Sequence, residues 1–316
     1  MKSVFAIRLP LLAALCVSSF SIAAPFAYVS NEKSGTMSII DTASDEIIAE
    51  IKAGSKPRGA AVSKDGKYLY VSDQPNNAIQ LLDLQTRMVV KQIELGESPE
   101  GVGISPDGKW VVVASEIKNS ISFIDTVTHK IKFSVKVKGK NPEHAEFSPD
   151  SKWVYVGAEE AEQVDVINVA KHKQTAQIPV GKRPRGIGFS PDGSRAYVAA
   201  ELADTVYVID TSSLKVLAEI KVGSFSNGIA VSADGSRVYV SNGRDGTVSC
   251  IDTKQNVVIA TIPVGKRPWN MALTPDDKKL YVANGRSNSI SVIDTVTNQK
   301  IHDITVGDTP WGVVIH

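Results

Sequence analysis

Forty-two residues starting at Gly181, GKRPRGIGFSPDGSRAYVAAELADTVYVIDTSSLKVLAEIKV, are followed at once by GSFSNGIAVSADGSRVYVSNGRDGTVSCIDTKQNVVIATIPV. The two segments agree in the opening Gly, in SxDGSRxYV, in IDT and in the closing apolar-Pro/Lys-Val. Fixed-period self-similarity constrains a fold more than any local pattern, because each unit must bury its apolar face against the next. The residue that ends an apolar strand recurs as Asp41, Asp83, Asp125, Asn168, Asp210, Asp252 and Asp294. The glycine before the next turn recurs as Gly54, Gly96, Gly139, Gly181, Gly223, Gly265 and Gly307. Each series steps by 42 residues, with one step of 43. Seven copies leave no room for a second domain or a linker.

Each copy holds four short runs of β character, such as GIGFS, RAYVAA, TVYVID and VLAEIKV. Alternation, β-branched residues and turn residues every few positions favour strands over helices. SPDG marks a tight hairpin: Pro sets φ, Asp caps and Gly takes φ > 0. Asp-Thr after the third run caps its own turn through the side chain. Four strands in a unit of this length predict a propeller blade. The expected fold is therefore all-β, a seven-bladed β-propeller with four antiparallel strands per blade. FAYVSN opens the repeats as a second strand and TPWGVVIH ends them as a first strand. The C-terminal strand should pair with the N-terminal three and close the ring, removing the open edges.

The first residues, MKSVFAIRLPLLAALCVSSFSIAA, carry Lys2 and Arg8 around an apolar stretch, then small residues. This pattern predicts a Sec-type signal peptide over residues 1–24, cleaved after Ala23 or Ala24, with the propeller over 25–316. Leu15 before Cys16 is too bulky for a lipoprotein cleavage box, so a periplasmic or secreted monomer is expected. The whole chain has 35 basic and 34 acidic residues. Losing Lys2 and Arg8 leaves 33 against 34, a net charge of −1, which gives no case for nucleic acid or anionic membrane. No later apolar run is long enough for a membrane span. Cys250, alone after processing, occupies the strand position of Val208 and reads as a buried apolar residue.

The strand texts YVSN, YVSD, YVGA, YVAA and YVAN, with SPDGK and VIDT, resemble the YVTN-family β-propeller repeats along the whole processed chain. SNEKSGTMSIIDT, AEFSPD and VGDTPWGVVI further resemble the exported propeller associated with pyrroloquinoline-quinone (PQQ)-dependent alcohol catabolism. That resemblance implies an accessory periplasmic role beside a quinoprotein dehydrogenase or cytochrome, with PQQ as a possible ligand. It brings no catalytic motif.

The seven copies act as controls for one another. A residue kept in all of them builds the blade; one that departs on a loop is free for other work. The turn entering the first strand reads Pro57-Arg58-Gly59, Pro99-Glu100-Gly101, Pro142-Glu143-His144, Pro184-Arg185-Gly186, Ser226-Asn227-Gly228, Pro268-Trp269-Asn270 and Pro310-Trp311-Gly312. Its middle position would ring the channel mouth with Arg58, Glu100, Glu143, Arg185, Asn227, Trp269 and Trp311, joined by His144 and Asn270. Such a ring could hold a planar anionic or zwitterionic ligand, with Arg forks on carboxylates. Alternatively, Arg and Glu pair across the mouth and Trp plugs the channel.

On the same face, the loop between the second and third strands carries Glu32, Glu116, Glu159 and Glu201, with Glu160 and Glu162 alongside. The last two full copies have Gly243-Arg244 and Gly285-Arg286 there, near Lys56, Lys182, Arg183, Lys266 and Arg267. An acidic arc facing a basic arc suits protein docking; solvating loop charges are the plainer alternative.

There is no CxxCH, no metal-spaced His/Cys cluster, no nucleophile elbow and no phosphate loop. The sequence thus favours an exported, non-catalytic binding or docking propeller. The enzymatic alternative is a lactonase- or lyase-like site at the mouth using Glu143, His144 and Arg185.

Overall fold

In the computed structural model, which describes residues 25–316, twenty-eight strands form seven four-stranded antiparallel sheets. The expected leader lies outside the described residues. Blade 1 combines β1 (Phe26–Asn31), β2 (Thr36–Asp41) and β3 (Glu46–Lys52) with β28 (Pro310–Ile315) as its inner strand. The pairs Ala27↔Ile315, Tyr28↔Val314 and Val29↔Val313 close the ring. Blades 2 to 7 each run through four consecutive strands from inside to outside. Seven blades and their closure match the reading of the repeats.

The repeated residues do the local work expected of them. Ser63 Oγ donates to Asp65 Oδ1 at 2.7 Å and accepts from Tyr68 N at 2.9 Å. Ser105, Ser148, Ser190 and Ser232 repeat the bond to Asp107, Asp150, Asp192 and Asp234. Gly66, Gly108, Gly193 and Gly235 follow with φ of 69°, 77°, 72° and 70°, a conformation that costs a residue with a Cβ. After the third strand, Asp210 Oδ1 accepts from Ser213 N at 2.7 Å, as Asp41 does from Ala43 N at 2.7 Å.

Second and third strands are buried on both faces because each sheet packs between two others. Tyr70, Tyr155, Tyr197, Tyr239 and Tyr281, one from the second strand of each of five blades, are among the largest fully buried side chains. Blade 3 has Val112 there, and Phe123, stacked on Phe133 at 4.4 Å, fills the same cluster. Cys250 is fully buried, and burial pushes its thiol pKa up, which keeps it protonated and unreactive.

The inner strands converge so closely that their third residue is glycine in five blades. A Cβ on Gly59 would stand 2.5 Å from Glu100 O, and one on Gly101 2.5 Å from Glu143 O. Only His144 and Asn270 replace that glycine, and both line the channel.

Candidate functional site at the channel mouth

The entry turns and the second-to-third-strand loops meet on one face, as the blade geometry predicts. They enclose a cavity of about 250 Å³ whose walls include Arg58, Glu143, Arg185, Asn227, Trp269, Asn270 and Trp311. Seven of the nine expected ligand-binding residues therefore share one cavity. Of the other two, Glu100 lies buried beside Arg58, and His144 sits one level deeper in the channel.

The arginines of the mouth are held by glutamates. Arg58 Nη2 donates to Glu32 Oε1 at 3.2 Å, and its Nη1 donates to Glu100. Arg185 Nη1 donates to Glu143, its Nη2 lies 2.8 Å from Glu159 Oε1, and its Nε donates to Glu201 Oε2 at 2.8 Å. Arg183 Nε reaches Glu159 Oε2 at 3.1 Å, and Arg267 Nη2 reaches Glu201 Oε1 at 2.7 Å. Three of the four glutamates expected to form an exposed acidic arc, Glu32, Glu159 and Glu201, are buried in this network. The fourth, Glu116, lines the cavity and accepts from Ser98 Oγ at 2.8 Å.

Glu32, Glu100, Glu143, Glu159 and Glu201 outnumber Arg58, Arg183, Arg185 and Arg267, which disfavours ionisation of all five carboxyls together. Burial and the adjacent Glu143 carboxyl push Glu159 up to about 8. Burial raises Glu100 to about 7 against the pull of Arg58. Burial also opposes ionisation of Glu201, but Arg185, Arg267 and Arg183 outweigh it and hold that carboxyl below its ordinary value.

Of the proposed catalytic set, Glu143 is bound by Arg185, whereas His144 stacks on Trp311 with ring centres 5.7 Å apart and planes 10° apart. Burial, then Arg185, lowers the imidazole to about 4, so it is neutral. Among the described residues no side-chain hydrogen bond joins Glu143 to His144, and no three His, Cys, Asp or Glu converge as a metal site.

The basic side of the face is built differently. Gly243 and Gly285 stand where four of the other copies have Glu and the second has Gln74. A Cβ on Gly285 would collide with the Trp269 ring, and one on Gly243 would lie 2.9 Å from Arg267 Nη1. Glycine makes room here for Trp269 and Arg267 to lie flat. The groove beside them, about 670 Å³, is lined by Phe225, Arg244, Asp245, Lys266, Arg267 and Arg286. The Arg244 guanidinium lies 3.9 Å above the Phe225 ring. Arg244, Lys266 and Arg286 are exposed, and among the described residues none has a carboxylate within 4 Å.

Reading the copies against one another missed one residue, Glu146. It sits two residues after His144 on the same inner strand, where other copies have Ala61, Gly103, Gly188, Ala230, Ala272 and Val314. The same comparison applied two positions further along would have found it.

Three family models match parts of the chain: a lactonase seven-bladed β-propeller over residues 168–305, a cytochrome D1 haem domain over 29–140, and a YNCE-like β-propeller over 103–190. No curated protein matches. Among solved structures, Kuenenia stuttgartiensis hydrazine synthase is similar, with 24% identity and a TM-score of 0.79 over 85% of this chain and 92% of that one. A functionally unknown protein from Desulfotomaculum acetoxidans DSM 771 is similar with 19% identity and a TM-score of 0.83, over 92% and 99%. At these identities the structures speak for fold alone. Taken with the seven closed sheets, the matches fit a β-propeller family, and the chain is a seven-bladed β-propeller.

Proposed function

We propose that the protein is an exported, non-catalytic docking propeller that receives an acidic partner surface on the mouth face, over the basic groove between Phe225 and Arg286. One observation carries this reading. The mouth arginines Arg58, Arg183, Arg185 and Arg267 are paired internally, whereas Arg244, Lys266 and Arg286 face solvent together without an acidic partner. Unpaired cations beside an aromatic ring favour recognition of carboxylates by steering and by forked hydrogen bonds. The resemblance to propellers of PQQ-dependent oxidation makes a periplasmic quinoprotein dehydrogenase or cytochrome the first partner to test. Among the described residues no helix is long and apolar enough to cross a membrane.

PQQ and haem do not fit the mouth as bound cofactors. PQQ carries three carboxylates, and the arginines that would meet them are already held by an excess of glutamates. The cavity of about 250 Å³ is below the roughly 300–1,000 Å³ of sites for drug-sized ligands. His144, the histidine of the channel, is stacked on Trp311 with no space for a tetrapyrrole beside it.

The lactonase-model match over 168–305 supports a second reading, hydrolysis of a lactone at the mouth. His144→Ala should then abolish turnover of a lactone panel while the fold melts normally; turnover that survives the substitution removes this reading.

The docking reading is tested by passing purified dehydrogenase and cytochrome over immobilised protein. Wild type should retain one of them at low salt and release it at high salt. An R244E/K266E/R286E variant that retains it equally well would overturn the proposal.

A further inference from the structure

We propose that the central channel is a binding site for a small primary ammonium ion with a short aliphatic stem, held by the Glu146 carboxylate. This inference is independent of docking on the mouth face.

Glu146 lies on the inner strand of blade 4, Pro142–Phe147. It is a wall of two adjoining spaces that share Ala60, Val102 and Val314 with it. One, about 170 Å³, lies below the mouth; the other, about 390 Å³, leads to the opposite face. The upper space has an aliphatic wall of Val102, Ile187, Ile229 and Met271, with Arg58, His144 and Asn270 as its other polar side chains. Among the described residues no cation lies within 4 Å of Glu146, and the one group that offsets the burial of its carboxyl is the Phe147 backbone N–H. A carboxylate placed in such surroundings costs free energy unless a partner compensates it.

The charged and titratable groups around it do not supply one. Arg58 lines the upper space but is held by Glu32 and Glu100. Lys64 lines the lower opening, and its ammonium donates to Pro106 O at 2.9 Å. His316 stands at the same opening, beside Gly66. His144, above, is neutral, and its buried Nδ1 has no hydrogen-bond partner. An ammonium group at Glu146 would meet an acceptor carboxylate, with a second unsatisfied acceptor or donor above it. Its stem would lie along aliphatic walls. A bare metal ion would find too few ligands here, since no three candidate ligands converge among the described residues.

Burial raises the Glu146 carboxyl to about 7. Binding of a cation draws on the ionised form, so affinity should rise as the pH passes upward through that value and level off above it.

The test is calorimetric titration of the full propeller with n-butylammonium chloride at pH 8, with sodium chloride and n-butanol as controls. Butylammonium should bind, and the two controls should not. Glu146→Gln, which keeps the shape and removes the charge, should weaken binding about tenfold or more. R244E/K266E/R286E should bind as wild type does, which separates this site from the docking face. Absence of binding to wild type, equal binding to Glu146→Gln of unchanged melting temperature, or equal binding of sodium each overturns the proposal.

Discussion

Glu201 Oε1 accepts from Arg267 Nη2 at 2.7 Å, tying the fifth blade to the seventh across the entry to the sixth. The bond passes over the turn at Ser226-Asn227-Gly228, the one entry turn that has Ser in place of Pro. It is possible because Gly243 leaves the space that the Arg267 guanidinium fills. A glutamate at that position, as in blades 1, 3, 4 and 5, would displace it.

Gly243→Ala should therefore cost stability although the new side chain is a single methyl. Its Cβ would press on Arg267 Nη1 and loosen the pair with Glu201, which is buried. We expect about 1–3 kcal/mol of destabilisation in denaturant unfolding. An effect near zero would mean that Arg267 has another low-energy position.

Arg185→Ala should be far more damaging than Arg244→Ala. The first leaves Glu143, Glu159 and Glu201 without the guanidinium they share, and breaking a buried ion pair costs about 3–5 kcal/mol. The second removes an exposed side chain and should change stability by no more than about 0.5 kcal/mol. Comparable losses in the two variants would contradict the assignment of Arg185 to structure and Arg244 to the surface.

Stability should fall as the pH is raised from 6.5 towards 8.5. Glu100 and Glu146 are raised to about 7 and Glu159 to about 8, from an ordinary value of 4.5. Between those limits the folded chain keeps protons that the unfolded chain has released, so rising pH favours unfolding. His144, lowered to about 4 from 6.5, works in the opposite sense only below 6.5. Melting temperature across this range gives the sign, and Glu159→Gln should flatten the slope. A melting temperature that climbs from 6.5 to 8.5 would refute the protonated network.

The blades were legible because every copy repeats the same local chemistry. SPDG, YV and the strand-ending Asp form contacts within a blade or between neighbours, so their spacing alone defines topology. The members of the mouth ring were legible for the same reason, as departures at a fixed repeat position. That Arg and Glu pair across the mouth stood as the alternative to a ligand ring, and the structure bears it out for Arg58 with Glu100 and Arg185 with Glu143; which other loops join them was not legible. Arg58 finds Glu32 and Glu100, 26 and 42 residues away, and Arg267 finds Glu201 at 66. Arg58 and Glu100 stand at one repeat position in adjacent copies, but the contacts at 26 and 66 residues depend on side-chain reach across the curved face, which no repeat position encodes. Glu159 and Glu201 consequently read as an exposed acidic arc, although burial and arginines enclose them. Glu146 escaped notice because its neighbours in AEFSPD resembled an ordinary inner strand.

The central claim is that Arg244, Lys266 and Arg286 form the docking groove. It is tested most directly by the association rate of the purified quinoprotein dehydrogenase or cytochrome proposed as its partner, as a function of ionic strength. For wild type, the rate should fall steeply as salt screens the groove. For R244E/K266E/R286E it should be slow and should not fall with added salt. Identical rates and salt slopes for the two proteins, with both folded, would contradict the claim.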